Sequence, residues 1–318
     1  RHVSPNTSLK NINSLKDTSY EIFDFVIGNP PYFEFKPEKS LKEKFKDAIS
    51  GRPNIFSLFI YQGLKWLKNG GYLAFVVPPS MNNGAYFSNL RNFIINNANI
   101  EHLEIIKDSK IFHGAQQSTM LIVLKKGENK GNYIFQKNGI SIFSENHTKL
   151  SAIFKKTTSL AELGFTVRTG RIVWNQNRHF LTHESKNGTP LIWAHNISSN
   201  NLSLKLETGI AKKPQYITRK DYDIGPAIVV NRITGSVSGT KLRAAIVPRN
   251  VKFFAENHVN VIFPPKEEPE KRKGVIPSID QIAEQISSSQ KSNIMKDITG
   301  NTQISKTELE KLFPITLS

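Results

Sequence analysis

The sequence predicts an α/β layer in its first half and a mixed, β-rich second half. Short apolar runs ending at Gly or Pro alternate with helix-periodic segments up to about residue 126. After about residue 158 the texture changes to short β-rich pieces separated by Gly, Pro and basic residues. A length of 318 residues suggests two domains, at roughly 100–200 residues each.

Residues 23–27 (FDFVI) end at Gly28 and read as a buried strand feeding a loop. Residues 54–68 read as a helix, because Ile55, Leu58, Phe59 and Leu67 recur at near-helical spacing. Asn69-Gly70-Gly71 is its stop signal. Residues 72–77 (YLAFVV) are a second buried strand, closed by Pro78-Pro79. Residues 86–97 form a second helix with Tyr86, Leu90, Phe93 and Ile94 on one face, and residues 100–106 and 120–124 are two further strands. Strand–helix–strand–helix–strand order predicts a mostly parallel sheet. In such sheets ligands sit at the carboxyl ends of strands, and the loop after residue 27 is one such end.

In the second half, residues 227–231 (AIVVN) and 259–263 (VNVIF) read as strands, and residues 264–273 (PPKEEPEKRK) as a charged linker. An amphipathic helix follows, with Ile279, Ile282, Ala283 and Ile286 on one face and Ser278 and Gln281 at capping-box spacing. The mixed-sign stretch 36–46 (KPEKSLKEKFK) reads as a solvated loop or helix face.

Composition excludes several classes. Without Cys the chain has no disulfide framework, thiolate metal site or thiol nucleophile. Its eight His are scattered, and no metal is expected. No apolar run nears the roughly 20 residues that span a bilayer. The net charge of +17 favours a polyanionic partner. The chain starts at Arg1 and shows no signal-peptide pattern. It is therefore expected to be a piece of a longer intracellular protein.

The residues that carry chemistry are Asn29-Pro30-Pro31-Tyr32, directly after the first strand. An ordinary turn uses the same residue types, but the placement favours a site. An exocyclic amine on adenine is a poor nucleophile, because its lone pair is delocalised into the ring. Two acceptors aimed at its N–H bonds localise that pair. The Asn29 side-chain oxygen and the Pro30 carbonyl can be those acceptors, with Pro-Pro holding φ fixed. Tyr32 offers a flat face on which a base can stack.

These residues, and their order, resemble the amino-methyltransferases, most closely the γ-class N6-adenine DNA methyltransferases of restriction–modification systems. Residues 29–32 match that family's NPPY catalytic motif. Residues 54–59 (NIFSLF) resemble the helix that follows it, and residues 68–79 (KNGGYLAFVVPP) the next strand. Residues 111–119 (IFHGAQQST) resemble the segment whose aromatic, Phe112 here, stacks on the extruded base. The likeness covers roughly residues 8–126.

It implies the C-terminal part of a Rossmann-like methyltransferase domain that uses S-adenosylmethionine, over residues 1–158. A target-recognition domain over residues 159–318 would follow. The family's glycine-rich cofactor loop is missing, and residues 235–239 (GSVSG) read as an ordinary loop. The family often has an acidic residue sixteen positions before the catalytic Asn; Asn13 stands there. Asn13 and Pro31 are thus the implied cofactor contacts. Most of that site would lie upstream, on a missing N-terminal segment or a partner subunit, and the chain alone is expected to be catalytically incompetent.

Residues 167–178 (VRTGRIVWNQNR) are polar and basic around Trp174. Double-stranded DNA is the implied partner, with Arg171, Asn175, Arg178, Arg219, Lys220, Arg232, Lys241 and Arg243 as candidate contacts. The implied reaction is methyl transfer to the amino group of a flipped adenine. The alternatives are a protein-glutamine or RNA amino-methyltransferase, and a DNA-binding module without catalysis.

Overall fold

The computed structural model describes residues 13–51, 53–106, 119–198, 201–203, 213–232, 241–266, 276–299 and 304–317. The chain divides into two compact units, residues 1–136 with 140–147, and residues 137–139 with 148–318. The sequence readings at Phe112 and residues 235–239, and most of the 264–273 linker, fall outside the described residues.

The first unit is α/β. Its elements are β1 (Phe23–Gly28), α1 (Lys39–Lys44), α2 (Phe56–Trp66), β2 (Leu67–Val77), α3 (Ser88–Asn97), β3 (Ala98–Ile106) and β4 (Thr119–Lys126). A hairpin, β5 (Ile134–Lys137) and β6 (Ile140–Phe143), follows; α4 (His147–Phe154), next in the chain, belongs to the second unit from Thr148 on. The sheet order is β1-β2-β4-β3. The expectation of a mostly parallel sheet is corrected: β1 and β2 are parallel, but β4 is antiparallel to both neighbours. β2 and β3 share a direction, as a strand–helix–strand crossover requires. The segment returning from β3 drops β4 between them, which periodicity alone cannot reveal.

α2 is the keystone of this unit. Phe56, Leu58, Ile60 and Leu64 are 0–1% exposed on it, each burial stabilising by about 1.5–3 kcal/mol. Gly63 lets the helix lie close to the sheet, since a Cβ there would sit 2.5 Å from a Leu73 methyl. The expected stop signal acts elsewhere. The helix already ends at Trp66, and Asn69-Gly70-Gly71 lies inside β2. Gly70 takes φ +80 there, and the pairing with β1 slips between Phe23 and Phe25. The glycines therefore form a bulge, and a Cβ on Gly71 would press on the Asp24 carbonyl at 2.9 Å.

β1 corrects the expectation of a buried strand. It is the edge of the described sheet, with Phe23, Phe25 and Ile27 at 45%, 66% and 79% exposure. Val26, on the other face, packs against α2. The run FDFVI is apolar on both sides, but among the described residues only one side is covered. β2 is alternately buried, with Leu73, Phe75 and Val77 facing the core and Tyr72, Ala74 and Val76 half-buried.

The second unit holds β7 (Thr166–Thr169), β8 (Leu181–Thr182), β9 (Thr189–Ile192), β10 (Ile197–Ser198), β11 (Asn201–Leu202) and β12 (Tyr216–Ile217). It continues with β13 (Asp223–Ile224), β14 (Ala227–Asn231), β15 (Ala244–Val247), β16 (Lys252–Ala255) and β17 (Val259–Phe263). Three helices close it: α5 (Ile279–Ser287), α6 (Ser289–Thr299) and α7 (Lys306–Leu312).

A five-stranded sheet, β13-β16-β9-β12-β8, and a four-stranded sheet, β15-β14-β17-β7, form the body. Their inner faces meet in one core that includes Ile192, Phe253, Val229, Val247 and Val261. Gly170 lies where the chain leaving β7 crosses the end of β16; a Cβ there would overlap the carbonyl oxygens of Ala255 and Glu256. The capping box expected at Ser278 and Gln281 forms, and a second one forms at Ser305 and Glu308.

Candidate active site and candidate DNA-reading surface

Asn29, Pro30, Pro31 and Tyr32 leave the carboxyl end of β1, where β1 is paired in parallel to β2. The loop is strapped to the start of α2. Ile55 N–H donates to the Phe33 carbonyl at 2.9 Å, and Phe35 N–H donates to Pro53 at 3.2 Å. Pro30 is buried while Asn29, Pro31 and Tyr32 are exposed. The Tyr32 ring stands edge-on to the buried Phe56, with centroids 6.4 Å apart. One ring face is therefore not committed to core packing.

The Tyr32 hydroxyl lies 2.6 Å from Asn29 Oδ1 and 2.7 Å from the Val76 carbonyl. A phenol has one proton, so it cannot donate fully to both. Turning the Asn29 amide over puts Nδ2 on the Tyr32 oxygen and sends the phenol proton to Val76. The phenol then has one acceptor and one donor partner, and in that orientation Asn29 Oδ1 faces outward as an acceptor. Among the described residues, nothing donates to the Pro30 carbonyl. Burial pushes the Tyr32 hydroxyl above its ordinary value. The arrangement offers two acceptors and a flat ring. It is suited to holding an amine, and it contains neither a nucleophile nor a strong base.

Asn13 is used locally: its Oδ1 accepts from Leu15 N–H at 3.1 Å and caps a short 3-10 turn. The hydrogen bond from Tyr32 to the Val76 carbonyl of β2 is a part of the site that no motif signalled. Val76 lies 44 positions from Tyr32, and only strand pairing brings it there.

In the second unit the basic candidates fall into two sets. Arg171 and Arg219 converge on Asp221. Arg219 donates through Nε to Asp221 Oδ1 at 2.9 Å, through Nη2 to Oδ2, and through Nη1 to Asn177 Oδ1 at 2.8 Å. Arg171 reaches the Asp221 carboxylate at 3.5 Å and its carbonyl, with Asp223 at 3.6 Å. The hydrogen bond from Arg219 holds the Asp221 carboxyl below its ordinary value, and the charge of Arg171 adds to it.

Arg178 bonds Asn175 at 3.2 Å and lies 4.6 Å over the Trp174 ring. Lys220 is exposed beside this set. The other set gathers on Asn231. Arg243 N–H donates to its Oδ1 at 2.6 Å, and its Nδ2 donates to the Lys241 carbonyl at 3.4 Å. Arg232 follows it and spends its guanidinium on the carbonyls of Asn257 and Ile304 at 3.1 and 3.4 Å. Asn177, Asp221 and Asp223 were not foreseen, because their importance rests on partners up to 55 positions away.

His179 and His183 stand four apart in the sequence, but on a 3-10 turn and beyond the short β8 rather than on one helix face. Among the described residues no group of three or more His, Asp or Glu has metal-holding geometry, and no helix is long and apolar enough to cross a membrane.

Comparison with known proteins finds likenesses over parts of the chain. Residues 4–112 match the Eco57I restriction-modification methylase family. Type II methyltransferase M.HincII of Haemophilus influenzae is 34% identical over 130 residues, covering 38% of this chain and 26% of that protein. Type II methyltransferase M.BsuBI of Bacillus subtilis is 25% identical over 296 residues, covering 80% of this chain and 58% of that protein. The chain thus spans well under two thirds of the length of these relatives. Among solved structures, the methyltransferase subunit of a type I restriction-modification system from Streptococcus thermophilus is 19% identical at a TM-score of 0.32. That match covers 46% of this chain and 35% of that one.

Proposed function

We propose that this chain is the catalytic and target-recognising part of a DNA adenine-N6 methyltransferase of a restriction–modification system. One observation carries the reading. Asn29-Pro30-Pro31-Tyr32 stands at the end of a parallel strand, with Asn29 and the Val76 carbonyl both within hydrogen-bond distance of the Tyr32 hydroxyl and no donor among the described residues on the Pro30 carbonyl. The similarity of residues 4–112 to restriction-modification methylases supports it.

S-adenosylmethionine would supply an electrophilic sulfonium methyl; Asn13 and Pro31 are the residues of this chain proposed to border it. The residues present suit that donor, because they offer acceptors to an amine and ask nothing of an acid or a base. Asn29 Oδ1 and the Pro30 carbonyl accept the two N6–H bonds of an extruded adenine and draw its lone pair out of the ring. Held by Asn29 and Pro30, the N6 nitrogen would receive the methyl that S-adenosylmethionine supplies, and one N6 proton would leave to water. Pre-positioned acceptors stabilise the positive charge that develops on nitrogen. Tyr32 stacks on the base, with Phe112 proposed for its other face. The first unit carries this chemistry and the second chooses the sequence.

The test is expression of the full-length gene in cells lacking adenine methylation, with N6-methyladenosine in digested DNA quantified by mass spectrometry. The mark is expected with the wild type and not with Asn29→Ala. Methyl label in protein or RNA, and none in DNA, would overturn the substrate.

A further inference from the structure

We infer that Arg219 reads a guanine in the target sequence and that Asp221 is its positioning residue. The inference rests on the reading of the second unit as the DNA-recognising part. It starts from a count of donors. A guanidinium has five N–H groups. Nε and one Nη2 proton of Arg219 are held by Asp221, and one Nη1 proton by Asn177. What is left is one N–H on each terminal nitrogen. That pair is the fork which the O6 and N7 acceptors of guanine receive in the major groove.

The support behind the fork is rigid. Asn177 is 8% exposed, and its own amide donates to the Val173 carbonyl at 2.9 Å. Arg171 approaches the same carboxylate and keeps it charge-balanced. Arg171 is thereby a buttress, with both of its terminal nitrogens turned toward Asp221 and Asp223.

The charge pattern separates base reading from a phosphate clamp. A phosphate contact wants an unneutralised cation, and a carboxylate beside it repels the backbone. Here Asp221 and Asp223 sit among Arg168, Arg171 and Arg219. Base edges carry no formal charge, so a pre-oriented donor backed by a carboxylate suits them. The rings of Trp174 and Phe180, 39% and 37% exposed, flank the patch and offer apolar surface to bases. Lys220, exposed and next in sequence, remains the phosphate-type contact.

The test selects duplexes from a randomised pool with the full-length protein and sequences those bound. It compares wild type, Arg219→Lys, Asp221→Ala and Lys220→Ala. The wild type is expected to enrich a motif containing a G·C pair. Arg219→Lys and Asp221→Ala should lose preference at that one position by about 5- to 150-fold. Lys220→Ala should weaken binding evenly across sequences. Arg219→Lys keeps the charge and decides the matter if Asp221→Ala folds poorly, which melting curves report. An unchanged motif in Arg219→Lys, an even loss like that of Lys220→Ala, or no wild-type motif overturns the inference. Methyl transfer is read by a separate assay, so failure here leaves the catalytic reading standing, and failure there leaves this one.

Discussion

The two units build their polar sites in opposite ways. In the first, four consecutive residues at a strand end form the candidate site, and the fold adds one carbonyl, Val76, and one supporting ring, Phe56. In the second, no short stretch suffices: Arg171, Asn177, Arg219 and Asp221 come together from segments about 40–50 positions apart. A reaction common to many proteins can be stored in a short motif whose backbone does the work. A surface assembled from side chains on separate loops can vary one residue at a time, as the proposed reading of different target sequences would require.

The largest effect should come from the short motif. Asn29→Ala removes an acceptor needed as charge develops, so methyl transfer should fall by about 100- to 1,000-fold. DNA affinity, measured by titration with labelled duplex, should stay within a few-fold. Equal loss of both would place Asn29 in binding and break the contrast between the units.

Next comes Gly170→Ala. Its Cβ would meet backbone oxygens on Ala255 and Glu256, which cannot move aside as a side-chain tip can. A stability loss at the upper end of about 1–3 kcal/mol is expected, read as a lower denaturant midpoint. A neutral result would show that the chain leaving β7 is held more loosely than its packing indicates.

Tyr32→Phe should do less. It keeps the stacking ring and deletes the hydroxyl that orients Asn29. One hydrogen bond is worth about 0.5–1.5 kcal/mol, so single-turnover rates should drop several-fold. An unchanged rate would mean that Asn29 is oriented without Tyr32.

The smallest effect is a pH dependence within the second unit. Burial pushes the Glu162 carboxyl up, but hydrogen bonds from Lys137 and Ser159 outweigh it and hold the group at about 2 against an ordinary 4.5. A depressed carboxylate stabilises the fold at pH above 4.5, and that contribution is lost as pH falls toward 2. Melting curves of wild type and Glu162→Gln should differ at pH 6 and converge in acid. A gap constant with pH would exclude the ionised form as its source.

Much of this was legible in the residues. The helix at α2, the strands around it and the cap at Ser278 follow from local periodicity and hydrogen bonding, which need no distant partner. The glycines 70 and 71 were legible as punctuation but not as a bulge, because a bulge exists only relative to β1. The burial of β1 was misjudged for the same reason: an apolar strand is buried only where something lies across it. The antiparallel insertion of β4 likewise depends on where a connection returns, not on the strand's own pattern.

By itself, the sequence determined the α/β order of the first unit, the change to a β-rich second unit, the basic balance and the four-residue motif. All of these are local or compositional, and local physics acts along the chain. Only the tertiary structure decided that Val76 completes the Asn29–Tyr32 pair, that Arg232 is spent on backbone carbonyls, and that Asp221 holds Arg219 with two N–H groups to spare. Those outcomes turn on which hydrogen-bonding groups meet across long separations. Each donor can be used only once, and folding determines the partner that receives it.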